Sequence, residues 1–254
     1  GDAIAQFNLA VLYESGGGVA KDDIEAVKWF RSAAEQNNAQ AQTALGWHYH
    51  TGEGIAKDET EGVKWFRKAA DQGDPQAQVN LGNSYLFGNG ATKNEMEAVK
   101  WFRKGADQNF AKAQVMLGTC YEHGSGVAKN DAEAVSCYRK AANQDNAVAE
   151  DALATCYLNG VGVTKDEIEG LKWERKAADQ NWANAQCNLG FAYAYGRGVP
   201  VDYVEAYKWW NLAAAQGDEN AKKGRASIEL RMTPSQIEEA QRLSREFKPR
   251  NESH

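Results

Sequence analysis

A period of 36 residues runs through this chain without a slip. Trp29, Trp65, Trp101, Cys137, Trp173 and Trp209 fall in one column, and Phe30, Phe66, Phe102, Tyr138, Glu174 and Trp210 in the next. Leu9, Leu45, Leu81, Leu117, Leu153 and Leu189 form a third, four residues ahead of Tyr13, Tyr49, Tyr85, Tyr121, Tyr157 and Tyr193. Six copies, at 5–40, 41–76, 77–112, 113–148, 149–184 and 185–220, take up all but the two ends of the 254 residues. One short unit cannot bury its own apolar face, so copies must stack and cover one another.

Each copy reads as two helices. The first carries Ala-x-x-x-Leu-Gly-x-x-Tyr, as from Ala77 to Tyr85, which is the spacing of a single helical face. It stops at a Gly-x-Gly pair such as Gly52 and Gly54, because glycine enters the left-handed conformation cheaply. Such a loop can also cradle phosphate, but no Lys-Ser/Thr follows it and no strand precedes it. The second helix starts at Asp22, Asp58, Asn94, Asn130, Asp166 or Asp202, each followed three residues later by Glu, the signature of a capping box. It ends at Gly73 or Gly217, or at Asn37, Asn109, Asp145 and Asn181 in the same column. The pattern predicts an all-α, right-handed solenoid of antiparallel helix pairs, with thirteen or fourteen helices and no strand. The Trp-Phe columns are expected to point inward.

At these residues the chain resembles the Sel-one-like repeat, a relative of the tetratricopeptide repeat, across all six units. The quoted motif departs from that pattern at Cys137-Tyr138 and at Glu174, where packing is expected to weaken locally. The resemblance implies a non-catalytic adaptor that holds a protein or peptide partner in a concave groove lined by the first helix of each repeat. It also supplies an alternative, a hydrolase or ligand binder of the cell-wall or β-lactam type, since some relatives are linked to penicillin-type ligands. No Ser-x-x-Lys occurs to support that chemistry. Relatives with a disulfide in each repeat would pair Cys187 with position 178, which here is Ala178.

The remaining chemistry is sparse. A net charge of −6 argues against a nucleic-acid partner, whose binding rests on neutralising phosphates. No apolar run is long enough for a membrane span. His48 and His50 point to opposite sides of one helix, while His123 and His254 lie far off, so neither a metal nor a cofactor is expected. Cys120 and Cys156 sit one repeat apart, where helices pack roughly 8–10 Å apart, too far for a disulfide. The four cysteines are therefore expected as thiols, which favours the cytoplasm slightly; a periplasmic or secreted protein is the alternative if a leader was removed. Lys28, Lys64, Lys100, Lys172 and Lys208, with Arg31, Arg67, Arg103, Arg139 and Arg175, read as a solvated basic stripe balanced by acids at helix starts and turns.

The ends have their own signals. Gly1 to Ile4 match the last positions of a repeat, which suggests sequence upstream of Gly1 and an open repeat face there. A monomer is expected, with dimerisation through that face as the alternative. The solenoid is assigned to 1–231, its last part a degenerate first helix. A capping helix follows over 232–248, announced by Thr233-Pro234-Ser235-Gln236, and then a disordered tail over 249–254.

Helical geometry locates the groove. Counting from the Ala column at 100° per residue, positions 1, 5, 8, 9 and 12 of the first helix turn inward and positions 3, 4, 7, 10 and 11 outward. The outward set holds Asn8, Asn80 and Asn188 in one column, and Val11, Trp47, Asn83 and Phe191 in another, with Phe87 and Tyr195 nearby. Asparagine offers donors and an acceptor to an extended backbone, and exposed aromatics are the usual anchors of an interface.

Overall fold

The same stop signals recur in every copy, and so helices of nearly equal length recur with them. The computed structural model describes residues 1–250. One compact unit, residues 1–129, contains α1 (Ala3–Ser15), α2 (Asp23–Glu35), α3 (Ala39–Thr51), α4 (Glu59–Asp71), α5 (Pro75–Phe87), α6 (Glu95–Asp107) and α7 (Ala111–His123). A second, from Asn130 on, contains α8 (Asp131–Ala142), α9 (Ala147–Asn159), α10 (Glu167–Asp179), α11 (Ala183–Tyr195), α12 (Tyr203–Ala215), α13 (Glu219–Glu229) and α14 (Pro234–Glu246). Among the described residues there are fourteen helices and no strand, and no helix is long and apolar enough to cross a membrane.

Odd-numbered helices are the first helices of each pair. From α1 to α11 they end where Gly16, Gly52, Gly88, Gly124, Gly160 and Gly196 turn left-handed, with Gly52 N–H donating to the His48 carbonyl at 2.8 Å, whereas α13 ends at Leu230 without a left-handed residue. The second glycine of the pair does more than turn. A Cβ on Gly54 would lie 2.1 Å from the Asp23 carbonyl oxygen, and one on Gly90 equally close to that of Glu59. The turn of one repeat thus rests on the backbone that opens the second helix of the repeat before it.

The starts of the first helices carry caps that the motif did not advertise. Asp2, Asn38, Asp74, Asn146 and Asp218 each accept from the N–H three residues on, as Ala77 to Asp74 at 2.7 Å. Phe110 and Trp182 stand in the same column without a side-chain cap, which hides it from sequence.

On the second helices the expected capping box forms only by half. Asp22 accepts from Ile24 and Glu25 N–H, but its own N–H donates to the Tyr13 carbonyl at 2.9 Å. Tyr49, Tyr85, Tyr157 and Tyr193 serve Asp58, Asn94, Asp166 and Asp202 in the same way. The glutamate is left to pair with a lysine one turn on: Lys28 with Glu25 at 2.6 Å, Lys64 with Glu61 at 2.7 Å, Lys100 with Glu97 at 2.9 Å. Both halves of a box are present at α14, between Thr233 and Gln236.

In the basic stripe, Lys28, Lys64 and Lys100 are exposed and balanced by acids at the helix starts, as expected. Its arginines reach the next first helix, where Arg31, Arg103, Arg139 and Arg175 donate to the hydroxyls of Tyr49, Tyr121, Tyr157 and Tyr193 at 2.7–3.1 Å, as Arg67 does to Tyr85. The arginine half of the stripe is thus a set of joints between helices, while the lysine half stays a solvated face.

Inside, three rings of the Phe column lie against a glycine of their own first helix. A Cβ on Gly46 would meet Phe66 at 2.6 Å, on Gly82 Phe102 at 2.4 Å, and on Gly190 Trp210 at 2.4 Å. Phe102 is fully enclosed, so Gly82→Ala is expected to destabilise by about 1–3 kcal/mol through overpacking. A urea midpoint equal to the parent's would show that the ring yields freely. Trp65, Trp101 and Trp209 point inward as expected, whereas Trp29 and Trp173 are half-buried. Helical position 3 also departs from the outward assignment, because Val79 and Cys187 are buried there.

A polar ladder runs beside this core. Gln72 donates to Gln42 at 2.7 Å, Gln108 to Gln78 at 2.9 Å and Gln216 to Gln186 at 2.8 Å, while the buried Gln42, Gln78 and Gln186 donate on to carbonyls of the preceding helix. Glu150 takes the glutamine's place in one rung and accepts from Gln180 at 2.7 Å. The four cysteines are all buried and none is in a disulfide. Burial pushes the Cys120 thiol up to about 11 and the Cys187 thiol up to about 12. Arg250, in the segment assigned to the tail, donates its N–H to Asp179 O and its guanidinium to Asp145 at 3.1 Å and Glu150 at 3.5 Å. Residues 251–254 of that assignment, with His254, lie outside the described residues.

Candidate binding face of the first helices

The residues assigned to the groove divide by exposure. Asn8, Val11, Trp47, Phe87, Asn188 and Tyr195 are exposed; Asn80, Asn83 and Phe191 are half-buried. Their positions follow from the helix geometry that turns the Ala, Leu and Tyr columns inward.

In the first unit three concavities follow one another between successive first helices. The first, about 370 Å³, is bordered by Phe7 and Val11 of α1, Thr43, Ala44 and Trp47 of α3, and Asn80 of α5. The second, about 190 Å³, is bordered by Trp47, His50, Asn80, Asn83, Phe87 and, at its base, Phe66. The third, about 320 Å³, lies between Phe87 and Leu86 of α5 and Met116, Thr119 and His123 of α7. Trp47, 48% exposed, separates the first two, and Phe87, 63% exposed, the last two. The Trp47 indole leans on His50 at 5.8 Å. Asn80 Oδ1 accepts from Gln76 at 3.0 Å, and Asn83 Oδ1 is buried without a donor. Asn8 borders none of the three.

In the second unit Asn188 and Phe191 border a cavity of about 480 Å³ together with Thr155, Leu158, Leu171 and Glu174. Phe191 stands edge-on to Trp210 at 5.1 Å and is stacked on Tyr195 at 6.2 Å, outside the cavity. Half of the Phe191 ring thus belongs to the core.

Two kinds of residue at this face escaped the sequence reading. Gln76 and Arg197 arrive from positions that vary among copies and carry no motif, and Lys165 from a column that is Lys in five copies, Lys21, Lys57, Lys93, Lys129 and Lys165. Glu174 was visible as the acid in an aromatic column, but its partner was not. Its side chain is fully buried, and its Oε1 accepts from Asn188 Nδ2 at 2.9 Å. Burial, and then the neighbouring Asp151 carboxyl, push Glu174 up to about 9; burial raises Asp151 as well. Among the described residues no three or more His, Cys, Asp or Glu gather as metal ligands.

The profile of the Sel1 repeat matches residues 3–38, 39–74, 75–110, 111–146, 147–182 and 183–218. Its boundaries coincide with the starts of the first helices, two residues ahead of the register read from the Ala column. No match was found among curated proteins. Among solved structures, a Sel1 repeat protein from Oxalobacter formigenes is 36% identical, with 85% of this chain and 88% of that one covered and a TM-score of 0.82. The protective antigen c5321 of uropathogenic Escherichia coli strains, which displays an SLR fold, is 30% identical over 97% of this chain and 61% of that one, with a TM-score of 0.57. The immunity protein Pa5087 from Pseudomonas aeruginosa is 20% identical over 86% of this chain and 82% of that one, with a TM-score of 0.57, and shares the fold. Six consecutive profile matches on six helix pairs, with the same turns and the same packing columns, make this chain a member of the Sel1 repeat family.

Proposed function

We propose that the first-helix face of the first unit holds an extended polypeptide of a partner protein. The observation that carries this reading is the pair of exposed rings, Trp47 and Phe87, standing as walls between three successive concavities. Apolar side chains of the bound segment fill the concavities, and the rings sandwich them. Asn80 and Asn83 meet its backbone through their side-chain amides. Sel1 repeat proteins are in general protein-interaction scaffolds, and the family is in general non-catalytic. Both support binding rather than turnover as the role of this face.

The test uses a partner captured by cross-linking from the native source and then purified. Trp47→Ala combined with Phe87→Ala is expected to weaken binding by about 2–4 kcal/mol, the range for interface hot spots. Both rings are largely exposed, so the circular dichroism and melting of the double variant should match the parent. Full affinity in that variant would move the binding face away from the first helices of this unit.

A further inference from the structure

Five members of one packing column are aromatic, Phe30, Phe66, Phe102, Tyr138 and Trp210, and the sixth is Glu174. Here α9, α10 and α11 leave the 480 Å³ cavity, the largest of those described along the first helices. Leu158, Leu171, Phe191 and Ala192 form its apolar wall, and Thr155, Asn159, Lys165, Glu167 and Arg197 its polar border. Glu174 is fully buried; Asn188 serves its Oε1, and its Oε2 has no donor. Asp151, beside it on α9, accepts from Trp182 Nε1 at 3.0 Å through Oδ2 and is hydrogen-bonded to the Glu174 carboxyl; its Oδ1 has no N–H donor. Two neighbouring buried carboxyl groups cannot both be ionised without a countercharge, so the pair keeps a proton.

We propose that Glu174, backed by the Asp151 carboxyl to which it is hydrogen-bonded, forms the floor of a site for a lysine side chain of a bound polypeptide, with its methylenes along Leu158, Leu171 and Phe191 and its ammonium in place of the Asn188 amide. An incoming ammonium releases the shared proton to water, and the net charge of the floor is unchanged by the exchange. The ammonium therefore adds no net charge to the buried floor, and the cost of removing the proton falls as pH rises. Asn188 is on the surface and can rotate away. The other charged groups facing the floor do not fill the role. Lys165 is held by Glu167 at 2.7 Å, and Arg197 lies over the Tyr195 ring at 5.9 Å. Cys187 of α11 is pushed up by burial and then by Asp218, and stays a neutral thiol. With no three metal-ligating side chains together among the described residues, an organic cation fits better than a metal ion. That the cation belongs to a polypeptide rests on the proposed function; that the site takes an ammonium does not.

Butylammonium, the lysine side chain by itself, is the first probe, titrated into the full chain while NMR follows the side-chain carboxyl carbon of Glu174. Saturable binding is expected, with affinity rising about tenfold per pH unit between about pH 6.5 and 8.5, since one proton leaves for each cation bound. Glu174→Gln is expected to lose at least about tenfold in affinity along with the pH slope. Glu174→Phe, which restores the ring of the other repeats, should lose the site while keeping the fold. Butanol reads the apolar wall alone and should show no pH dependence. Affinity for butylammonium that is flat with pH, or equal in Glu174→Gln, overturns the site. The blocked tripeptide acetyl-Ala-Lys-Ala-amide is expected to bind more tightly than butylammonium. Binding of the amine with exclusion of the tripeptide would assign the site to a free amine and remove the lysine. None of these results depends on Trp47 or Phe87, so this proposal and the groove of the first unit can fail separately.

Discussion

Trp210→Ala is expected to cost about 3–5 kcal/mol, the upper range for large-to-small changes in a core. The ring is 1% exposed, and its Nε1 donates to the Cys187 carbonyl at 3.1 Å. It is slotted between two glycines: a Cβ on Gly190 would meet it at 2.4 Å and one on Gly224 at 2.6 Å. Neither neighbour has a side chain to collapse into the space, and the indole's hydrogen bond to a buried helix carbonyl is lost. In a stacked array the loss stays near its origin, so hydrogen exchange should show α11 to α14 opening ahead of α9 and α10. Trp173→Ala serves as the comparison, because its half-buried ring donates only to Glu169 on its own helix. Equal melting of the two variants would mean that Trp210 is not the key of the C-terminal packing.

Stability is expected to fall as pH rises from about 5 to 9. Burial keeps Glu150 protonated to about 7 and Glu174 to about 9 in the folded chain, against an ordinary value of 4.5. The unfolded chain ionises both near that ordinary value. Across the interval the folded state therefore binds more protons, and each group removes roughly 1.4 kcal/mol per pH unit within its own window. Both groups act between about pH 5 and 7, and Glu174 alone between about 7 and 9. Exposed carboxyls such as Glu59, Glu95 and Glu239 are shifted down by their Lys or Arg partners and oppose this only weakly, screened by water. In Glu174→Gln the slope above pH 7 should vanish, and the variant should exceed the parent at pH 8. An unchanged slope in that variant would place an ionised carboxylate at 174 in the folded chain.

The array was legible because its columns repeat one physical solution six times. Leucine, glycine and tyrosine at fixed offsets, Asp or Asn before each second helix, and Gly-x-Gly after each first one left little freedom. What escaped were interactions whose partners lie about 14 to 31 residues apart, such as Gln72 with Gln42, Arg31 with Tyr49, and Glu174 with Asp151 and Asn188. Pattern reading places a residue on a face, but it does not choose between a neighbour on its own helix and one on the next. Glu25 illustrates this. The sequence rule sends it to the cap's N–H, and the structure gives that N–H to Tyr13 and the glutamate to Lys28. At the candidate face, exposure of Trp47, Phe87 and Tyr195 followed from helical geometry alone. The ordering of the concavities did not, because each is made by residues from two or more helices.

In four turns the second glycine sets the distance from one copy to the next through main-chain atoms, Gly54 on Asp23, Gly90 on Glu59 and Gly126 on Glu95 in the first unit, and Gly162 on Asp131 in the second. Side chains on the outward faces take no part in that measurement. Spacing and recognition are consequently encoded in separate residues. A lineage can rewrite Trp47, Asn80, Asn83 or Phe87 to suit a new ligand while the interval between its pockets stays constant.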